Sequence, residues 1–414
     1  MKNQKLVNVF VVFFCAFIAC YVGFHNKFPL VYPDTGTYVH SGFTGQVPLD
    51  RPIIYGLFLR YVSLGVSPWL VIFVQGLIAS WLLFKTIGQS VAGMRRNILL
   101  VSSTLVLVFA TGYSFNTSIL LPDIFCAYAI LCFSNLLFNN NLNGLERGIM
   151  FLVLVVSTGA HLSNLPILIL LSLVIATLKF WKKLEFPTTW KRVAITSVAV
   201  IAAIPFVSIV NVSHGANARI SSISHVFIMN HFIEAGILKP YLDKTCATTN
   251  YTLCDCKENL SWNFIWSEES CLYEGGGWIE TRDEYNEIIF NIVTSHSNWS
   301  TLARKSVEYG VKQFFSFNTT LAPDQLAGTP PFNHISQRFP DARREYISSK
   351  QNQNKLNLST INVLEEWVVL LSLGFLVIII LNTEQLGISS DLKWVIVTVL
   401  LFSIIGSFVS ANLS

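Results

Sequence analysis

Apolar runs approaching the roughly 20 residues that a helix needs to cross a bilayer recur along the chain, separated by short polar turns. The first covers residues 6–24. A polar and aromatic stretch follows, residues 25–68, HNKFPLVYPDTGTYVHSGFTGQVPLDRPIIYGLFLRYVSLGVSP. It is too polar for lipid and too aromatic for a plain linker. Within it, residues 53–64 are apolar but too short to span, which predicts a helix lying in the membrane interface. Further spans are expected at 69–87, 97–113 and 119–138, with a tight turn at 114–118. Residues 148–180 hold two short spans around a turn carrying His161, Ser163 and Asn164. Pro166 suits the start of the second helix of that pair. A seventh span is expected at 193–212. Hydropathy then drops over 213–362 and rises again at 363–381 and 394–411. The pattern predicts an all-α polytopic protein of about nine transmembrane helices. It divides into a membrane domain (1–212), an inserted domain of mixed or irregular structure (213–362), and C-terminal spans (363–414).

The cations orient these spans. Lys2 and Lys5 precede the first. Lys85, Arg95, Arg96, Arg147, Lys179, Lys182, Lys183, Lys191 and Arg192 fall in alternate loops. The positive-inside bias makes those loops cytoplasmic, and sets both 25–68 and 213–362 outside. The long N-terminal apolar run has no small-x-small cleavage site after it, so it reads as a retained span rather than a signal peptide. The chain stops where the last span emerges, an abrupt end that points to a truncated or divergent C-terminus.

Composition agrees with the pattern. Of 414 residues, 52% are hydrophobic and only 13% charged, against roughly 25% charged in soluble domains. The net charge of +4 comes from cations placed by topology. No nucleic-acid motif is present, so nucleic acid is excluded as a partner.

Four of the eight cysteines, Cys15, Cys20, Cys126 and Cys132, lie in predicted spans and read as small buried hydrophobes. The other four, Cys246, Cys254, Cys256 and Cys271, cluster in the inserted segment without a histidine nearby. In an oxidising compartment they predict two disulfides rather than a metal site. Three connectivities are possible, and a Cys254–Cys256 bond fits geometry least well. The Trp-, Gly- and acid-rich stretch around Cys271 suits a folded lid or a carbohydrate-contacting surface. Residues 301–317 read as an amphipathic helix, and the basic tract 337–355 as solvated.

Charged groups near membrane depth are costly, and two acids stand out. Asp34 follows Pro33 in YPDTGTY, and Asp123 follows Pro122 in LLPDIF. Both are expected at the same outer face. Two converging carboxylates there suit general-base work or a divalent cation. Without chemistry, Asp34 reads as an Asx-turn residue and Asp123 as a first-turn acid complementing a helix dipole. Asp50 and Arg51 form a local pair that braces the loop, and Asp50 is also a candidate substrate contact. Arg51, Arg60, His161 and Arg219 are candidate phosphate contacts, because a guanidinium fork or an imidazolium matches phosphate oxygens. Tyr38, in the same loop, is a candidate substrate contact. His225, Asn230 and His231 fit either catalysis or packing.

A first span leading straight into a long outer loop with an early acid resembles the GT-C superfamily, polytopic glycosyltransferases that use polyprenyl-phosphate-linked sugars. Asp34 in YPDTGTY matches the first-loop acid of that superfamily, and Asp123 in LLPD its second acid. DRPIIYGLF is similar to the interfacial segment of bacterial members, and His161 falls where some carry a basic residue near the donor phosphate. The resemblance covers residues 6–179. The inserted cysteine-bearing domain departs from the C-terminal soluble domain of many members. The absence of a paired-acid motif leaves metal use open. The cysteine domain resembles only uncharacterised bacterial membrane proteins. The resemblance implies a bacterial inner-membrane enzyme moving a sugar from a lipid-linked donor to a glycan, lipid or protein acceptor, with membrane lipids around it. Asp34 would be the base, and Arg51, Arg219 or His161 would meet the leaving phosphate. A flippase of lipid-linked glycans would instead need polar groups deep in its spans. An assembly protein would use the cysteine domain to bind a partner.

Overall fold

The computed structural model describes residues 2–181, 186–261, 263–320 and 325–413. Lys182 and Lys183 of the basic tract lie outside the described residues. Among those described, the regular structure is helical, and the single β pairing is an isolated parallel bridge between Leu30 and Ile119. The chain forms two compact units. One comprises Met1–Pro48, Pro52–Ala218 and Phe317–Phe402, and the other Leu49–Arg51, Arg219–Ser316 and Ser403–Ser414.

The first unit opens with α1 (Lys2–Ala19) and α2 (Tyr21–Asn26). The single span expected at 6–24 is therefore broken at Cys20. The amides freed at the break are taken by side chains of a short helix further on: Val22 N–H donates to Ser114 Oγ at 2.9 Å and Gly23 N–H to Ser118 Oγ at 3.0 Å. Ser114 Oγ in turn donates to the Ala19 carbonyl at 2.8 Å. Buried hydroxyls thus replace the helix's own ladder, one of the few ways a helix breaks without orphaned groups.

Residues 25–68 hold two helices. The expected interfacial one is α4 (Ile54–Val62). The other, α3 (Pro33–Thr44), was not legible from a stretch with two glycines, which favour helix poorly. Packing explains it. A Cβ on Gly42 would lie 2.0 Å from the Gly56 carbonyl oxygen of α4, so the two helices cross backbone to backbone. The glycines allow the contact that stabilises α3.

The bundle continues with α5 (Trp69–Ile87), α6 (Gly93–Ala110), α7 (Tyr113–Ser118), α8 (Ile124–Phe138), α9 (Gly144–Ala160), α10 (Asn164–Phe180) and α11 (Trp190–Ser213). The turn expected at 114–118 is α7. The span expected at 119–138 begins only at Ile124, because Ile119 bridges to Leu30 and residues 120–123 turn away from helix. Asn143 and Glu146 cap α9 reciprocally, each side chain accepting from the other's backbone N–H at 2.9 and 3.1 Å.

The second unit contains α12 (Ser224–Glu234), α13 (Leu238–Thr245), α14 (Leu253–Cys256), α15 (Cys271–Glu274), α16 (Gly277–Glu280), α17 (Arg282–Thr294) and α18 (His296–Phe314). The expectation of a mixed or irregular domain is corrected: its frame is helical. In α17, Tyr285, Ile288 and Ile292 are fully buried at helical spacing, against Met229, Leu242 and Phe264. His225 Nε2 donates to the Trp278 carbonyl at 3.0 Å, and the His231 ring meets Tyr309 edge-on at 5.7 Å. Burial pulls both imidazoles below the usual histidine value. They pack the core of this unit.

The cysteines pair as Cys246–Cys254 and Cys256–Cys271, with Cα atoms 5.7 and 5.8 Å apart. Closing loops of 8 and 15 residues stabilises by about 2.5 and 3 kcal/mol through loss of unfolded-chain entropy. Reduction is therefore expected to lower the unfolding midpoint of the protein and to quench the buried Tyr285 environment, both measurable by thermal scans with and without dithiothreitol.

The chain then returns to the first unit with α19 (Pro330–Arg338), α20 (Arg343–Ile347), α21 (Ser359–Leu381) and α22 (Ser390–Leu413), whose last turns from Ser403 belong to the second unit. The segment expected as one domain over 213–362 is thus divided. Its part after Ser316 packs on α3 and the residues before it. Pro330 and Pro331 sit where a Cβ on Gly36 would be 2.6–2.7 Å away, Phe339 meets Phe43 edge-on at 5.5 Å, and Tyr346 meets Phe28 at 5.3 Å. The tract expected to be solvated at 337–355 buries Tyr346, Ser349, Gln351 and Asn352. Among the described residues, five helices are long and apolar enough to cross a membrane: α5, α6, α11, α21 and α22. Gln4–Ala19 of α1, α8 and α10 are apolar but shorter. This is the make-up of a multi-pass membrane protein.

Candidate functional site

The segment leading to Asp34 is fixed before the helix begins. Leu30 N–H donates to the Ser118 carbonyl at 2.8 Å, and Leu120 N–H donates to the Leu30 carbonyl at 2.9 Å. Tyr32 is extended, and Pro33 takes the first helical position of α3, where its missing N–H costs nothing. Tyr32 N–H donates to Thr35 Oγ1 at 2.9 Å, and Thr35 N–H to the Tyr32 carbonyl at 2.9 Å. Thr35 Oγ1 also donates to the Leu120 carbonyl at 3.2 Å. Asp34 therefore sits in the first turn of a capped helix rather than in an Asx turn, where its charge complements the helix dipole.

The same contacts hold the second acid's segment. Gln75 of α5 is fully buried, and its Nε2 donates to the Thr117 and Ile119 carbonyls at 2.8 and 3.1 Å. Asp123 follows two turns of irregular chain and immediately precedes α8; its carbonyl accepts from Cys126 N–H at 3.0 Å. His161 closes α9, its N–H donating to the Ser157 carbonyl at 3.3 Å. Its Nδ1 lies 2.6 Å from Ser163 Oγ.

These side chains line one cavity of about 330 Å³, formed by Tyr32, Asp34 and Tyr38 of the α3 segment, Phe115 and Asn116 of α7, Ile119, Leu121, Pro122 and Asp123, His161 and Thr320. Tyr38 forms a wall, its ring edge-on to the buried Tyr55 at 5.0 Å. Asp34 and His161 are half-buried and Asp123 is exposed. Burial alone would pull the His161 imidazole down. The Cys126 sulfur that it bonds and the Asp123 carboxylate outweigh this and push it up to about 9. The cavity thus holds two acids and one imidazole that its neighbours draw toward the cationic form.

For a group raised in this way, the stabilisation is complete below the ordinary histidine value and is lost as pH rises through about 9. The melting-temperature advantage of the wild type over His161→Gln is therefore expected to hold up to about pH 7 and to shrink by about pH 10. A pH series of thermal scans on both proteins checks this.

Of the residues singled out in the sequence, Asp34, Tyr38, Asp123 and His161 meet in this cavity. Asp50, Arg51 and Arg219 are not among its lining residues and belong to the second unit. Arg51 Nε donates to Asp50 Oδ2 at 2.8 Å, the brace expected of that pair. Arg60 lies over the Phe43 ring at 4.6 Å and is likewise absent from the lining. Sequence reasoning missed Asn116, Thr320 and the supports Thr35 and Gln75. Only Gln75 left a signal, as the one amide inside the apolar run WLVIFVQGLIAS.

Comparison with protein-family models, curated proteins and solved structures finds no match.

For the divalent cation expected as an option, Asp34, Asp123 and His161 are not, among the described residues, a group whose ligand atoms lie within 4.8 Å of one another. Among the described residues, one group of three metal-type ligands has its atoms within 4.8 Å of one another: Cys256, Cys271 and Glu274. Two of these are joined in a disulfide. We derive no step through a metal.

Proposed function

We propose that the chain is a membrane glycosyltransferase that moves a sugar from a polyprenyl-phosphate-linked donor to an acceptor hydroxyl, with inversion. The observation that carries this reading is the meeting of Asp34, Asp123 and His161 in one cavity. The donor's leaving group is a phosphate, so it needs a positive partner and no general acid. His161 supplies that charge, with Cys126 and then Asp123 favouring it. This differs from the wider set of cations considered from sequence, since Arg51 and Arg219 do not line the cavity. The acceptor hydroxyl gives its proton to the Asp34 carboxylate as its oxygen attacks the anomeric carbon. The bond from that carbon to the phosphate oxygen breaks, and the electron pair leaves on the phosphate. Tyr38 and Tyr32 offer aromatic walls for the sugar. Nine spans, with the cavity at the extracytoplasmic face of a bacterial inner membrane, complete the proposal. The two cysteine pairs favour an oxidising side for the second unit.

Reconstitution into vesicles holding polyprenyl-phosphate-linked sugars of several kinds tests it. Release of free polyprenyl phosphate with formation of a glycosylated product is expected for one donor class. If every donor stays intact while it crosses the bilayer, the protein is a flippase and the transferase reading fails.

A further inference from the structure

Leu30 and Val31 are extended and lead within three residues to Asp34. Along one edge, Leu30 pairs with the segment before Asp123. Along the other edge, one side chain stands where a neighbouring strand would be. Gln351 Oε1 accepts from Val31 N–H at 3.1 Å, and Gln351 Nε2 donates to the Val31 carbonyl at 2.7 Å. An amide can do both because it carries an acceptor and a donor side by side.

Gln351 is itself held. Its backbone N–H donates to Asn26 Oδ1 at 2.7 Å, Lys350 N–H donates to the Asn26 carbonyl at 2.9 Å, and Asn26 Nδ2 donates to the Phe28 carbonyl at 2.8 Å. Asn352 Nδ2 donates to the Tyr346 carbonyl at 2.9 Å, and its Oδ1 accepts from Gln325 N–H at 2.9 Å. Asn26, Gln351 and Asn352 are 0%, 4% and 4% exposed. Buried amides in a satisfied network fix one geometry, because any other leaves polar groups unpaired.

We propose that Gln351 is a positioning residue that sets Asp34 against Asp123, so that the cavity is completed only when the segment after the second unit docks on the chain before Asp34. The proposal rests on the transferase reading for its activity arm alone. Gln351 touches neither acid. It holds the Leu30–Val31 backbone from the edge opposite the Asp123 segment, and thereby fixes where α3 begins. Displacement of a reacting group by about 1 Å can cost about a hundredfold in rate.

The choice of Gln gives the test its signature. An ionised Glu at this position accepts only and opposes the Val31 carbonyl. A protonated Glu has one donor and one acceptor again. The titratable neighbours on the flanking segments are Lys350 and His25, in contact at 3.1 Å. They are unchanged in the wild type and in Gln351→Leu, so those proteins measured over the same pH range subtract them.

The experiment is hydrogen exchange by mass spectrometry on the full-length protein in vesicles, reading peptides that cover residues 28–38. In Gln351→Leu, exchange there should be at least about tenfold faster than wild type at every pH. In Gln351→Glu it should be about tenfold faster at about pH 8 and close to wild type at about pH 4, where the carboxyl is protonated. Sugar transfer relative to wild type should follow the same pattern. Unchanged exchange in Gln351→Leu, or no acid recovery in Gln351→Glu, overturns the proposal. If Gln351→Leu does not fold, the acid recovery of Gln351→Glu decides alone. If the exchange pattern appears but the wild type transfers no sugar, the clamp stands and the transferase reading falls.

Discussion

Asp34→Asn is expected to reduce sugar transfer by roughly a hundredfold to ten-thousandfold, the range over which a positioned general base contributes, while leaving the protein folded. The asymmetry follows from where Asp34 sits. It is half-buried in the first turn of α3, and that turn is held by Pro33, Thr35 and the Leu30–Ile119 bridge. Asparagine keeps the shape and removes the charge. The acid's interaction with the helix N-terminus accounts for about 0.3–1 kcal/mol of the loss to the fold. Turnover of a radiolabelled donor and a thermal scan on the same preparation separate the two effects. Asp123→Asn should behave differently, because Asp123 helps to keep His161 protonated: its loss should move the basic limb of the pH–rate profile below about 9.

Gln75→Leu is expected to give the largest loss of stability among single changes outside the acids. The side chain is 0% exposed and makes three hydrogen bonds. Two go to the Thr117 and Ile119 carbonyls, and one comes from Tyr55 Oη at 2.8 Å. Leucine fills the space but leaves two carbonyls and a hydroxyl without partners. Each unsatisfied buried group costs about 1–3 kcal/mol, so the total is about 3 kcal/mol or more. The residues released are those that pair with Leu30, so activity should fall with stability. A drop in melting temperature with Tyr55→Phe as the milder companion checks this. A Gln75→Leu protein as stable as wild type would remove the buried amide from the account.

The membrane helices were largely legible because lipid imposes a simple rule on sequence, and the span expected at 69–87 coincides with α5. Interruptions were not legible. The break at Cys20 depends on Ser114 and Ser118, which in sequence look like an ordinary polar turn. Helix α3 was hidden because its glycines argue against a helix locally, while their value lies in contacts with α4 and α19. The docking of residues 325–352 was hidden for the opposite reason. Gln325, Gln351 and Asn352 look like solvent-facing residues, but the Gln351 side chain bonds the Val31 backbone and the Asn352 side chain bonds the Gln325 and Tyr346 backbones. At the site, both acids and His161 could be singled out by their cost near membrane depth. The arginines could not be sorted in the same way. A cation beside an acid in sequence, such as Arg51 beside Asp50, pairs locally instead of lining the cavity.

The most direct measurement is an experimental structure of the full-length protein in a lipid bilayer with a bound polyprenyl phosphate. The account predicts the phosphate against His161, with open space between it and Asp34 large enough for a sugar. A phosphate bound away from this cavity, with His161 and Asp34 untouched, would contradict it.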